Sequence, residues 1–381
     1  MKRAYDDAAL RQLTEHEHVV QVHGSPVSVR SSVQDLPFGD LDPWLVRRND
    51  ELSQRKRAVP KPSLRTLAKI VFRPETFLIE VRDNAEGVVL SGAGDSSIDL
   101  TLSPVNVTRE EVKLAGNERL LWKYEPEQAA ATPRPAFIHI HGGGFFTGRP
   151  LGPDNSLRFI ANQAGAIVFD VDYSLSPEYK YPHAVNEVYA AIQHVRDNAI
   201  QHNIDPERIV VGGGSGGGNL TAAAALKAKA EGDPIMALQV LINAVVVGGR
   251  VRPAGLEWDP ADFPLNTVRN PLLGKIDDPY VNRNLELMFK AYRGKASPRE
   301  PYISPAMAAD LADLPPALVL TAELDNLRPQ AEFYAARLAK AGVAVRTVRY
   351  RGTVHETPGM LGYVPTAEAG LLEIVSAINK L

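Results

Sequence analysis

The 381-residue chain contains no cysteine. Disulfides, thiolate nucleophiles and Cys-type metal sites are thereby excluded. No apolar run reaches about 18 residues, so nothing in the sequence reads as a membrane span. The N-terminal stretch MKRAYDDAALRQLTEHEH lacks the apolar segment of a secretory signal, and a cytoplasmic location is expected. Excess positive charge is also missing: the formal net charge is −3, which gives no reason to expect nucleic acid or an anionic membrane as a partner. There is no G-K-[ST] loop and no regular G-x-G-x-x-G before a helix, so no phosphate-bearing cofactor is expected. His16 and His18 are two apart and would point opposite ways on a helix, so no metal centre is expected from them.

The chain is well supplied with apolar residues, 44% of the total, and with 29 glycines and 29 prolines. That composition supports a large core joined by many loops. Its organising stretch is Arg208 to Ala225, RIVVGGGSGGGNLTAAAA. A β-branched run (Ile209, Val210, Val211) meets a glycine cluster around Ser215, and an alanine-rich helix pattern follows at once. A flexible Gly/Ser linker would have polar spacers; here a buried-type strand and a strong helix abut the cluster. In this context G-x-S-x-G lifts a serine hydroxyl onto a sharp corner, where a Cβ on its neighbours would collide with crossing backbone.

Residues 1–75 read as a helical cap or lid segment and 76–381 as the catalytic domain, with 248–305 as a further cap or loop insertion. The basic run from Arg47 to Lys61 reads as a solvated face. Phe77–Val81, Ile98–Leu102 and Arg119–Tyr124 read as antiparallel edge strands. From Ala136 onward the rhythm changes. The apolar runs Ala136–Ile140, Ala166–Val171, Ile209–Val211, Ala237–Ile242, Ala317–Thr321 and Val343–Tyr350 alternate with helical patterns. One of these patterns steps through Val185, Val188, Ile192, Val195 and Ala199. Such alternation specifies a mostly parallel central sheet with helices on both faces.

A serine hydroxyl needs a base to take its proton. The G-x-S-x-G corner resembles that of the α/β-hydrolases, and the resemblance implies that the acid and then the histidine follow the serine in the chain. His355 is the only histidine C-terminal to Ser215 and lies in a loop after a strand. The acid should leave a strand end between them, in Thr321-Ala322-Glu323-Leu324-Asp325. Asp325 is the expected acid and Glu323 its competitor; either could instead cap the next helix. His141-Gly142-Gly143-Gly144, at the end of another strand, is an HGGG run whose backbone N–H groups can approach a developing oxyanion, together with that of Gly216.

HGGG at 141–144, GGGSGGGNL around Ser215 and DYSLSPEYKYPHAV from Asp172 resemble the hormone-sensitive-lipase-like branch of the α/β-hydrolases over roughly Ala136 to Leu381. The resemblance implies an α/β-hydrolase fold with an N-terminal cap, and a triad at Ser215, Asp325 and His355. It implies oxyanion donors at Gly143, Gly144 and Gly216, and carboxylesterase activity on short- to medium-chain acyl esters. By the same likeness no cofactor is needed, the partner is a small-molecule ester, and the chain forms a homodimer. An acyltransferase using the same triad, or a non-catalytic receptor on the same fold, are the alternative readings. The chain departs from the family pattern at four places. Gly214 and Gly216 stand where Asp and Ala are usual, and Ser174 stands where Arg is common. Asn326 to Pro329 breaks the stretch after Asp325, and Glu356-Thr357 follows His355 in place of Gly-Phe. Glu356 is thereby a candidate to contact a polar or cationic substrate group or to raise the pKa of the base, a role the sequence does not decide.

Overall fold

The continuous apolar runs become interior strands in a computed structural model, which describes residues 3–15, 17–55, 73–85, 98–263, 278–280, 282–355 and 357–381. In chain order, α1 (Asp7–Glu15) leads into a hairpin, β1 (His18–Val22) and β2 (Ser25–Arg30). Helices α2 (Pro43–Arg55) and α3 (Pro74–Ala85) precede a second hairpin, β3 (Val105–Leu114) and β4 (Asn117–Pro126). Then come β5 (Arg134–Ile140), α4 (Asp154–Ala164), β6 (Ile167–Val171), α5 (His183–Asp197) and α6 (Ala199–His202). The central unit is β7 (Ile204–Gly214), α7 (Gly216–Ala230) and β8 (Leu238–Ile242). After α8 (Arg283–Arg293) the chain closes with β9 (Ala317–Ala322), α9 (Arg328–Lys340), β10 (Val345–Tyr350) and α10 (Pro365–Ile378).

These strands form one sheet in the order β1-β2-β10-β9-β8-β7-β5-β6-β4-β3. Pairing is parallel from β2 through β6, and antiparallel where the two hairpins extend the edges. Alternation along the strands sorts side chains to two faces. Ile138, Ile140, Ile209 and Val211 join the core under α5, α7 and α9, whereas Phe137, Val210, Val240 and Leu320 join the core under α4 and α10. Each such side chain, fully removed from water, contributes roughly 1.5–3 kcal/mol, which is why the central strands carry almost no polar residues.

The edges differ from the sequence expectation in four places. Residues 18–30, expected to lack strands, form β1 and β2, and β2 pairs in parallel with β10 through Val348↔Ser28 and Tyr350↔Arg30. The alternating Val27 and Val29 supply the buried face. Phe77–Val81, expected as a strand, lies inside the helix α3: Leu78 and Val81 pack with Phe146 and Ala291 on one helical face. A short apolar run carries no period that separates helix from strand. Ile98–Leu102 is a loop rather than a strand. Its backbone is satisfied by α4, with Asn155 Nδ2 donating to the Ile98 carbonyl (3.1 Å) and the Leu102 N–H donating to Asn162 Oδ1 (2.9 Å). Arg48, expected on a solvated face, is buried with its guanidinium 3.5 Å from the Tyr363 ring centroid. Within that basic run, Lys56, Arg57 and Lys61 lie outside the described residues, as do His16 and Glu356. Among the described residues no helix is long and apolar enough to cross a membrane.

Candidate active site

Strand β7 ends at Gly214 and helix α7 starts at Gly216, so Ser215 alone turns the chain. It does so at φ 54°, ψ −115°, a backbone region that L-residues rarely occupy. The corner is held because the Ser215 N–H donates to the Ile242 carbonyl (2.9 Å), while the Asn219 N–H donates to the Ser215 carbonyl (3.1 Å). The surrounding glycines are not equivalent. A Cβ on Gly217 would stand 2.0 Å from the Ile140 carbonyl oxygen, and one on Gly213 would stand 2.4 Å from the same atom. On Gly214 the nearest atom would be 3.8 Å away, and on Gly216 the Phe145 nitrogen would be 3.3 Å away. Of the two positions where the family usually has Asp and Ala, Gly214 thus has ordinary room for a side chain, whereas at Gly216 the glycine loop would have to give by a few tenths of an ångström. Gly217→Ala should therefore cost several kcal/mol in chemical denaturation, because backbone must move, whereas Gly214→Ala should leave the midpoint and the activity nearly unchanged.

The HGGG loop wraps the other side of the corner. Gly143 (φ 118°) and Gly144 (φ 60°) both require the conformational freedom of glycine. The Gly143 carbonyl accepts from the Thr147 N–H (3.0 Å) and hydroxyl (3.0 Å). The Gly144 nitrogen would lie 3.4 Å from a Cβ on Gly216, so the glycine loop passes directly against the serine corner. His141 anchors the loop from below: it stacks on Tyr173 (4.2 Å between centroids), whose hydroxyl donates to the His141 carbonyl at 2.9 Å. Burial pushes the His141 pKa down to about 4, so this ring is neutral near pH 7.

His355, in the loop after β10, places Nδ1 2.6 Å from Asp325 Oδ2. Asp325 is buried, and its other oxygen accepts from the Leu327 N–H at 2.9 Å. Glu323 faces elsewhere, accepting from the Gly352 N–H (2.9 Å) and from Arg351 Nε (3.2 Å). Asp325, not Glu323, is thus the carboxylate on the imidazole. Sequence reasoning missed Asn243, at the end of β8 with φ 45°. Its Nδ2 donates to the His355 carbonyl (2.9 Å), its Oδ1 accepts from the Ala322 N–H (2.9 Å), and its own N–H donates to the Leu320 carbonyl (2.8 Å). One side chain thereby fixes the histidine loop to the strand that leads to Asp325; an isolated asparagine after a strand carries no signal of that role.

Ser174, where the family pattern has Arg, is buried and gives both its N–H and its hydroxyl to Glu187 at 2.6 Å. The cationic partner comes from another strand: Arg119 Nε lies 3.5 Å from Glu187 Oε1. Further along the same stretch, Ser176 N–H donates to the Phe145 carbonyl at 2.9 Å, tying this segment to the glycine loop.

Ser215, His355, His141, Gly142 and Gly143 open into one cavity of ≈ 350 Å³. From the corner it runs between α4 and α10, where Phe137, Leu157, Ile160, Ile242, Leu371 and Ile374 make an apolar wall. Arg82 of α3 lines it as well and is paired with Glu178. Above the glycine loop, Met288 of α8 would lie 2.9 Å from a Cβ on Gly144. Ser215, the Asp325-paired His355, the glycine loop and an apolar trough therefore meet at the carboxyl ends of β5, β7, β8 and β9, where open α/β sheets bind ligands.

Comparison with known proteins gives a consistent picture. A family model described as alpha/beta hydrolase fold matches residues 137–358. An arylesterase of Saccharolobus solfataricus is 35% identical over 66% of this chain and 77% of its own length. Esterase LipI of Mycobacterium tuberculosis is 31% identical over 84% of this chain and 93% of its own. Among solved structures, an esterase of Pyrobaculum calidifontis superposes with a TM-score of 0.66 at 31% identity, covering 81% of this chain and 94% of its own.

Proposed function

From the premise that the chain belongs to the α/β-hydrolase fold family and is a carboxylesterase of its hormone-sensitive-lipase-like branch, we propose that it hydrolyses esters through an acyl-enzyme on Ser215. The observation that carries this reading is the 2.6 Å contact from His355 Nδ1 to buried Asp325, beside a cavity that His355 shares with Ser215. With Nδ1–H given to the carboxylate, the remaining ring nitrogen Nε2 is the basic one. Ser215 Oγ attacks the ester carbonyl and Nε2 takes its proton; the imidazolium then protonates the leaving alkoxide. Water enters, loses a proton to the same nitrogen and releases the acid, regenerating the serine. Negative charge on the tetrahedral oxygen falls to the N–H groups of Gly143, Gly144 and Gly216, each worth roughly 3–4 kcal/mol of transition-state stabilisation.

The trough supports a preference for short to medium acyl chains. A cavity of ≈ 350 Å³ stands near the lower end of ligand sites, about 300–1,000 Å³, which suits short to medium acyl groups laid along Leu157, Leu371 and Ile374. Helices α3 and α8, which pack together through Leu78 and Ala291, form the cap over this opening. The test is a p-nitrophenyl ester series with mass analysis after an organophosphate. Turnover should be high for short and medium chains and fall at least tenfold by a sixteen-carbon chain, with one phosphonyl adduct, on Ser215. Labelling of another serine in its place would refute the nucleophile.

A further inference from the structure

A second group of chemically apt side chains stands away from the cavity. Glu110 of β3, His194 of α5 and His202 of α6 each present one ligand atom, and these atoms all lie within 4.8 Å of one another. His194 Nε2 is 3.4 Å from Glu110 Oε1, and His202 Nε2 is 3.6 Å from the same oxygen. All three atoms are buried and make no hydrogen bond among the described residues. His202 is only 4% exposed. Three such atoms turned inward on one another are costly unless something satisfies them together. The spacing identifies what can. Nitrogen and oxygen ligands standing about 2.0–2.2 Å from a tetrahedral zinc ion are roughly 3.3–3.6 Å from each other, and the two Glu–His separations fall in that range.

We propose that Glu110, His194 and His202 form a binding site for one divalent transition-metal ion of the zinc type, with water as the fourth ligand. The rings are held for the purpose. Phe169 meets His202 edge-on (5.0 Å, 70°), and the Asn198 side-chain amide lies 3.4 Å from His194 Nδ1, so Nε2 is the edge turned to Glu110. The neighbouring Lys123 is paired with Glu125 at 2.8 Å, which limits its repulsion of a cation. The ion's role is that of a brace. It joins the outermost strand of the sheet to the α5–α6 corner, and from His202 the chain passes directly into β7. Ser215 lies just past the far end of that 11-residue strand, which at about 3.3 Å per residue is roughly 35 Å long, so the ion takes no part in ester chemistry.

The test uses the full chain, freed of metal by chelation and titrated with ZnCl₂ by calorimetry, with thermal unfolding followed in parallel. One ion should bind per chain, the midpoint should rise by several degrees, and p-nitrophenyl acetate turnover at 25 °C should stay unchanged. His194→Ala and Glu110→Gln, both at half-exposed positions, should each weaken binding at least tenfold while keeping the wild-type circular dichroism spectrum. Should one variant fail to fold, the other decides. Absence of saturable binding overturns the proposal, and so does wild-type affinity in a folded variant, which would place the ion elsewhere, for example at His139 and Asp170.

Discussion

Replacing Ser215 by alanine should lower p-nitrophenyl acetate turnover by on the order of 10⁵-fold, to what the oxyanion donors and the trough achieve unaided. Alanine keeps the Cβ and removes one oxygen, so the unfolding midpoint should hardly move. Glycine at the same position should be equally inactive but more stable, by about 1 kcal/mol. The reason is the φ of 54° at Ser215, a conformation that strains any residue with a Cβ by roughly 1–3 kcal/mol. An inactive protein that gains stability on Ser215→Gly is the signature of strain kept for function. Denaturant midpoints for the two variants, set beside their residual rates, check both halves. Turnover persisting in either would remove the nucleophile from the mechanism.

Asp325→Asn should lower kcat by about 10⁴-fold with little change in KM. The geometry explains why an isostere fails so badly. One carboxylate oxygen of Asp325 is committed to the Leu327 N–H and the other to His355 Nδ1. An asparagine that keeps its oxygen on Leu327 turns an NH₂ group toward the imidazole. Nδ1 must then accept, Nε2 carries the proton, and the ring can no longer take one from Ser215. Glu323→Gln is the control on the same strand end. It disturbs the contacts to Arg351 and Gly352 and should reduce stability while sparing kcat to within a few-fold. Steady-state kinetics of the two variants distinguishes the carboxylates; equal losses of kcat would contradict the assignment.

How far this could be read in advance depends on the range of the interactions concerned. Local order was legible: β-branched runs became central strands, and GGGSGGG became a strand–helix corner because a strand pattern and a helix pattern abut the glycines in the sequence itself. The edges were not. Phe77–Val81 is too short to show a period, and Ile98–Leu102 takes its conformation from two asparagines on α4 about 60 residues away. Residues 18–30 become strands because β10 offers them an open edge. Within the site, His355 was identifiable as the only histidine beyond the serine, but the choice between Asp325 and Glu323 required a direction in space.

By itself the sequence determined the alternation of strands and helices, the corner at Ser215, the glycine loop and the order of the proposed serine, acid and base. These are encoded by residue types at fixed short spacings, which chemistry and sterics constrain whatever surrounds them. Tertiary structure decided which carboxylate meets the imidazole, that Asn243 locks the histidine loop, how deep the acyl trough runs, and that Glu110 meets two histidines from another part of the chain. Those outcomes depend on distances between residues far apart in the chain, and such distances are set only when the sheet closes and the helices pack.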